Sequence, residues 1–165
     1  MMDYFFTIKS TLNHIDSDKA KQLFQTVEFH EQICQKIPGT ALDIQRSELA
    51  GDRYYLEREY NLDLEMPELI RKLLKDAFRL RRHDYWDFQT LSASSTLKSN
   101  LTGILSYQTF LSEAHNAIQV RQDWKLDIGM PLIHKALARF AETEIRKFHA
   151  IEMDIIQQEL IAQTA

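Results

Sequence analysis

The sequence predicts an α+β fold that consists of about seven antiparallel strands and one long helix near the C-terminal end. Two periods in the hydropathy pattern carry this prediction. Apolar and polar residues alternate over much of the segment from Thr40 to Ile128, which is the period of half-buried strands. After Pro131, apolar residues recur every three or four positions for about thirty residues, which is the period of an amphipathic helix.

The segment before Thr40 contains one predicted strand and two predicted short helices. Residues 4–12 are rich in aromatic and β-branched side chains, which favour a strand. Asp16 and Asp18 supply side-chain oxygens that can cap a first helix. A second helix is predicted to end at Pro38-Gly39, because glycine readily takes the left-handed conformation that terminates a helix.

A hairpin is predicted next, with Gly51 and Asp52 in its turn. Met66-Pro67-Glu68 then opens a short helical insertion, because proline is tolerated in the first turn of a helix. Further strands are predicted over residues 78–88, 94–102, 104–112 and 118–128. The last of these has the clearest alternation in the chain, with apolar residues at Ile118, Val120, Trp124, Leu126 and Ile128.

The long helix is predicted from about Pro131 to Gln163. Positions about 100° apart place its apolar residues on one stripe, which must pack against a large surface. The stripe contains Ile133, Leu137, Phe140, Ala141, Phe148, Ile151 and Ile155.

Two charged residues interrupt apolar patterns. Glu144 lies within the helix stripe, where an ionised carboxylate loses hydration and needs a partner. Arg58 interrupts the alternation of Leu56, Tyr60 and Leu62 on the inward face of its strand. We therefore expect Arg58 and Glu144 to form an ion pair or to hold one polar group of a ligand.

Length and composition bound the class of protein. The chain has 165 residues, of which 44% are hydrophobic and 27% charged, and this predicts one globular domain spanning residues 1–165. Its single cysteine, Cys34, cannot form an intramolecular disulfide. The sequence shows no signal-peptide pattern and no apolar stretch long enough to span a membrane. These features predict a cytoplasmic protein.

The order of the predicted elements resembles the helix-grip fold of the START-like superfamily, also called SRPBCC or Bet v 1-like. Arg58-Glu59-Tyr60, residues 66–70, Gly103 and residues 127–133 further resemble the DUF2505 family of unknown function, over nearly the full length. The resemblance implies a curved sheet wrapped around the C-terminal helix, with an internal cavity between them. It implies the binding or carriage of a hydrophobic or lipid-like small molecule.

The residues expected to contact such a ligand alternate along the strands or lie on the helix stripe. They are Tyr54, Leu56, Arg58, Tyr60, Leu62, Trp124, Leu126, Phe140, Glu144 and Phe148. Two alternatives remain open: an enzyme of this fold that uses Glu144, Arg58, Tyr60 and His134, and an interaction module with a filled interior.

A basic segment contrasts with the formal net charge of -4. Residues 71–82 hold six basic side chains and one acidic one, which predicts contact with an anionic membrane surface. The candidate residues are Arg71, Lys72, Lys75, Arg79 and Arg82. The segment is short and matches no nucleic-acid-binding motif, so no nucleic-acid partner is expected.

The chain contains no motif typical of a catalytic or cofactor site. The closest approach to metal-ligand spacing is His149 with Glu152, a single pair three residues apart. No metal and no cofactor are therefore expected.

Overall fold

A computed structural model describes residues 2–72, 78–101 and 103–164. Its single sheet has seven antiparallel strands in the order β1-β7-β6-β5-β4-β3-β2. The strands are β1 (Met2–Asn13), β2 (Thr40–Ala50), β3 (Arg53–Leu62), β4 (Phe78–Asp87), β5 (Ser92–Ser99), β6 (Ile104–Ala114) and β7 (Ala117–Ile128). The helices are α1 (Ser17–Phe24), α2 (Val27–Lys36), α3 (Glu68–Arg71) and α4 (His134–Thr164). The predicted helix-grip fold is confirmed.

The connections explain how the sheet encloses α4. Strands β2 to β7 follow one another in space as they do along the chain, and β1 pairs with β7 from Met2↔Ile128 to Asn13↔Ala117. Helices α1 and α2 therefore join the two edge strands, β1 and β2. Helix α4 packs against β1 and β7 and contacts both short helices.

Local sequence signals place the two short helices. Asp16 caps α1, since its side-chain oxygen accepts hydrogen bonds from the backbone N–H groups of Asp18 and Lys19 at 3.0 and 3.2 Å. Gly39 follows α2 with a φ of +150°, and a side chain there would meet the Tyr60 ring. Glycine thus lets the chain after α2 approach β3 closely.

Apolar side chains form two main clusters, one toward each end of the sheet. One surrounds Trp124, Leu126 and Leu137, and the other contains Phe29 and Ile156. The five apolar residues that alternate along β7 are all buried, as the period of two predicts.

The buried face of α4 differs from the predicted stripe in its C-terminal half. Ile151, which the stripe includes, is 42% exposed, whereas His149, Ile156 and Leu160 are buried. The prediction for Ile151 is wrong because it assumed that polar residues face solvent. Here His149 and Glu152 face the sheet, which supplies hydrogen-bonding partners for both.

Burial of His30 makes the fold sensitive to acid. Its ring lies among Phe24, Tyr54, Trp86 and Phe88, and its Nε2–H donates to the Phe24 carbonyl oxygen at 2.8 Å. Burial lowers the pKa of His30 to about 4. Between about pH 6.5 and pH 4, His30 therefore binds a proton in the unfolded chain but not in the folded one.

We expect the free energy of unfolding, measured by urea denaturation, to fall by about 2 kcal/mol between pH 7 and pH 5 through His30. Replacing His30 with Phe removes this part of the loss of stability. The rest of the loss includes a contribution from His149, because burial lowers the pKa of that residue too. The matched control is His115→Gln in the exposed turn between β6 and β7, which leaves the loss unchanged. An unchanged pH dependence in His30→Phe would contradict the assignment.

Candidate functional site

A cavity of about 160 Å³ lies between the curved sheet and α4. Side chains from β3 to β7, α4 and the segment after α2 form its walls. Most of them are apolar, and they include Tyr60, Leu62, Leu80, Leu97, Leu105, Trp124, Phe140, Ala141, Ile145 and Phe148. The cavity is therefore a predominantly hydrophobic compartment.

Polar side chains separate this large cavity from a second, smaller one of about 60 Å³. Arg82, Tyr107, Gln122 and Glu152 line both cavities, and we call these four residues the polar partition. The partition comes from three strands and the helix, so it forms only when α4 docks on the sheet.

An ion network holds the partition together. Both terminal nitrogens of Arg82 donate to Glu152, at 3.2 Å to Oε2 and 3.0 Å to Oε1. Asp84 Oδ2 lies 3.2 Å from Arg82 Nε and 3.4 Å from a terminal nitrogen of Arg58. Arg58 also contacts the thiol of Cys34. Two arginines thus share two carboxylates in the interior.

Hydrogen bonds and charge keep both carboxylates ionised. Asp84 Oδ1 accepts from Ser95 at 2.5 Å and from Tyr107 at 3.1 Å. Burial by itself raises the pKa of Asp84, but the Arg82 and Arg58 guanidinium groups outweigh burial and lower it. The pKa of Glu152 is lowered in the same way, mainly by Arg82. The network therefore carries two positive and two negative charges.

A second chain of hydrogen bonds reaches the partition through Gln122. Its Oε1 accepts from the indole N–H of Trp124 and from Nδ1–H of His149, both at 3.1 Å. His149 Nε2 is then the acceptor for the hydroxyl of Ser10, at 2.7 Å. Because burial also lowers the pKa of His149, the ring is neutral near pH 7.

The residues predicted to contact a ligand fall into three groups. Tyr60, Leu62, Trp124, Phe140, Glu144 and Phe148 line the large cavity. Leu56 and Arg58 line the small cavity. Tyr54 and Leu126 are fully buried in apolar clusters, outside the residues that form the cavity walls.

The predicted pair between Arg58 and Glu144 is wrong. Arg58 is buried and pairs with Asp84, while Glu144 lies 3.2 Å from Lys147 on its own helix. The helix carboxylate that meets a strand arginine is Glu152, about two turns further along α4, and its partner is Arg82. The cause of this error is the one that misplaced Ile151: the prediction took the apolar stripe to be the buried face of α4 along its whole length.

Only some of the basic residues between positions 71 and 82 lie at the surface. The prediction of a membrane-facing Arg82 is wrong, because this side chain is 12% exposed and pairs with Asp84 and Glu152. Arg79 pairs with Glu59 at 3.1 Å. Arg71 and Lys72 are exposed. Lys75 lies outside the described residues.

Sequence reasoning missed several wall residues, and among the polar ones it missed Asp84, Tyr107, Gln122 and, as a partner for an arginine, Glu152. Gln122 had a detectable signal, since it interrupts the inward-facing alternation of Val120 and Trp124 on β7. The other three lacked such a signal, because their neighbours on β4, β6 and α4 are themselves of mixed polarity.

Two negative observations complete the site. Among the described residues, no cluster of three or more His, Cys, Asp or Glu side chains is arranged to hold a metal ion. None of the helices in the described ranges has the length and apolarity that crossing a membrane requires.

His134, included in the enzyme alternative, is buried at the start of α4 and does not line the large cavity.

Solved structures share this fold at low sequence identity. An aromatase/cyclase, Zhui, from a Streptomyces species is 8% identical with a TM-score of 0.67, over 99% of this chain and 97% of the other. A START superfamily protein from Mycobacterium smegmatis is 9% identical with a TM-score of 0.59, over 96% and 98%. Norcoclaurine synthase from Thalictrum flavum, in complex with dopamine and hydroxybenzaldehyde, is 8% identical with a TM-score of 0.61, over 99% and 90%.

The predicted resemblance to START-like proteins is thus confirmed at the level of the fold. No family model and no curated protein matches the sequence, and the resemblance to DUF2505 stays a prediction.

Removing one charge from the network should destabilise the protein strongly. We expect Asp84→Asn to lower the free energy of unfolding by about 3 kcal/mol, because it leaves Arg58 and Arg82 with one carboxylate between them. Urea denaturation at pH 7 measures this change. The matched control is Asp123→Asn on the outer face of β7, where the side chain is 46% exposed and pairs with Arg121. That control should cost below about 0.5 kcal/mol, and equal costs would contradict the argument.

Proposed function

We propose that this protein binds a compact, mainly apolar small molecule in the large cavity. The observation that carries the proposal is the combination of apolar walls with a few polar groups gathered at the partition. Apolar walls supply most of the binding free energy in such a site, while a small number of fixed polar groups orient the ligand.

The volume of the cavity narrows the class of ligand. An engineered protein cavity of about 150 Å³ with apolar walls binds benzene, and the cavity here is about 160 Å³. A molecule of one or two rings, or a short chain of similar size, therefore fits better than a lipid with two long chains. This refines the wider expectation of a hydrophobic or lipid-like ligand.

The two alternatives are less well supported. A filled interior does not fit a cavity of this size. An enzyme needs a side chain in the cavity that is free to move a proton or to attack a substrate. The described carboxylate and imidazole groups that line the cavity all have partners: both oxygens of Glu152 accept from Arg82, both ring nitrogens of His149 are hydrogen-bonded, and Glu144 pairs with Lys147. A carrier or sensor is the function that this arrangement favours.

Filling the cavity should block binding. We expect ethylbenzene, followed by ligand-observed NMR and calorimetry, to bind the purified protein. Ala141→Phe, which places a ring in the cavity wall, should weaken binding at least about tenfold, or about 1.4 kcal/mol.

Ala150→Phe is the control for this experiment, because Ala150 is exposed on the same helix. This variant should bind ethylbenzene like the unmodified protein. Thermal denaturation shows whether each variant is folded. Absence of binding by the unmodified protein, both to ethylbenzene and to its ketone analogue acetophenone, would refute the proposal.

We further propose that the protein contacts anionic membranes through Arg71 and Lys72, at the end of α3. The supporting observation is that Arg71 and Lys72, which are exposed, lie within a few residues of Leu64 and Met66, which line the large cavity. Each basic side chain near an anionic surface contributes about 1 kcal/mol before screening by salt. Two such residues give weak, salt-sensitive association.

Vesicle co-sedimentation tests this contact. We expect vesicles containing phosphatidylserine to bind the protein at low salt, and the double change Arg71→Glu and Lys72→Glu to abolish binding. The control double change, Lys9→Glu and Lys19→Glu, alters the net charge equally at exposed positions of β1 and α1 and should reduce binding much less. Equal losses would show that net charge, rather than α3, governs the association.

A further inference from the structure

The polar partition has an excess of hydrogen-bond donors. The oxygens of Asp84 and Glu152 and Oε1 of Gln122 already accept hydrogen bonds or lie against arginine nitrogens. Three donor groups have no hydrogen-bond acceptor among the residues that the structure describes: Nε of Arg58, Nε of Arg82, which lies 3.2 Å from Asp84 without forming a hydrogen bond, and the amide nitrogen of Gln122. Such buried donors cost free energy unless another molecule supplies an acceptor.

The orientation of the Gln122 amide is fixed by its neighbours. The indole N–H of Trp124 can only donate, so the amide atom that it contacts at 3.1 Å must be the oxygen. The amide nitrogen therefore points away from Trp124 and His149, and no described side chain accepts from it. Gln122 lines both cavities, so this nitrogen can donate to a molecule within them.

Arg58 supplies the second unused donor. Its side chain is 97% buried, since only 3% is exposed, and it lines the small cavity. Its terminal nitrogens contact Asp84 and Cys34, but its Nε–H has no hydrogen-bond acceptor among the described residues. The Arg58 Nε–H is thus enclosed in the protein interior, and the Gln122 amide nitrogen is the donor that a molecule in the cavities can reach.

The charges around the partition favour an uncharged acceptor. Arg58 and Arg82 are balanced by Asp84 and Glu152, and the pKa of each carboxyl group is held below its usual value. A ligand carboxylate would add a third negative charge to a buried site whose positive charges are already neutralised, which is unfavourable. A carbonyl oxygen accepts a hydrogen bond without adding charge.

We propose that the polar partition recognises the carbonyl oxygen of an uncharged ring compound, with Gln122 Nε2 as the principal donor. This inference rests on the proposed function, because the ring of the compound occupies the large cavity. Its carbonyl group points at the partition, where the amide nitrogen of Gln122 lies. The ligand class is thus a neutral aromatic or cyclic ketone or aldehyde.

A matched series of ligands tests this recognition. Acetophenone, ethylbenzene and benzoate share one ring and differ in carrying a carbonyl oxygen, no polar group or a carboxylate. Calorimetry at pH 7 should give acetophenone an affinity about two- to tenfold higher than that of ethylbenzene, which is the usual net effect of one neutral hydrogen bond. Benzoate should bind at least about tenfold more weakly than acetophenone.

Gln122→Glu is the informative variant, because it keeps an oxygen for Trp124 and His149 and replaces the donor nitrogen with a second oxygen. We expect it to lose the preference for acetophenone over ethylbenzene. The control is Gln119→Glu, which adds the same charge on the same strand at an exposed position and should keep the preference. If thermal denaturation shows that Gln122→Glu is unfolded, Gln122→Met removes the donor without adding charge, and the same loss is expected.

The outcomes separate this inference from the proposed function. Equal binding of acetophenone and ethylbenzene by the unmodified protein would refute carbonyl recognition and leave the apolar cavity site intact. Binding of neither compound would refute both. A preference for acetophenone that persists in Gln122→Glu and Gln122→Met would show that Gln122 is not the donor. Benzoate binding as tight as that of acetophenone would overturn the choice of an uncharged ligand.

Discussion

The pairing of Arg82 with Glu152 is the interaction on which the interior of this protein depends. Arg82 projects from β4, an interior strand of the sheet, and a buried guanidinium group needs a carboxylate with good geometry. Only one rotation of α4 presents Glu152 to it. That rotation also turns His149 toward Gln122 and Leu160 into the apolar core, while Ile151 is left at the surface. The ion pair therefore determines which face of the helix the sheet covers.

The same pair divides the interior into two compartments. Apolar side chains pack on both sides of it, in the cluster of Trp124 and Leu137 and in that of Phe29 and Ile156. Neither cluster can extend across the charged residues, because their hydrogen bonds fix them in place. The space beside the partition thus remains open, and the cavity is a consequence of the ion network as much as of sheet curvature.

The sequence predicted the elements well because their signals are local. Alternation identified β7, the cap of Asp16 identified α1, and the inward position of Arg58 was correctly deduced from its neighbours on β3. The site was predicted less well because its members were judged by hydropathy. A basic run suggested that Arg82 faces a membrane, and the apolar stripe selected Glu144 over Glu152. The rotation of α4 about its axis decides which carboxylate meets which arginine. Hydropathy does not determine that rotation when more than one face of the helix carries charged residues.

Stability is a weak reason for a fold to keep four charged residues in its interior. Apolar residues of similar volume often replace a buried ion network without loss of stability, provided that all its members change together. Such a replacement would fill the partition with groups that cannot form hydrogen bonds. Gln122, by contrast, lines both cavities with an amide nitrogen that no described side chain accepts from, and an apolar side chain offers no such donor. The proposed function offers another reason to keep a polar partition, because a molecule in the cavity can then form a hydrogen bond there.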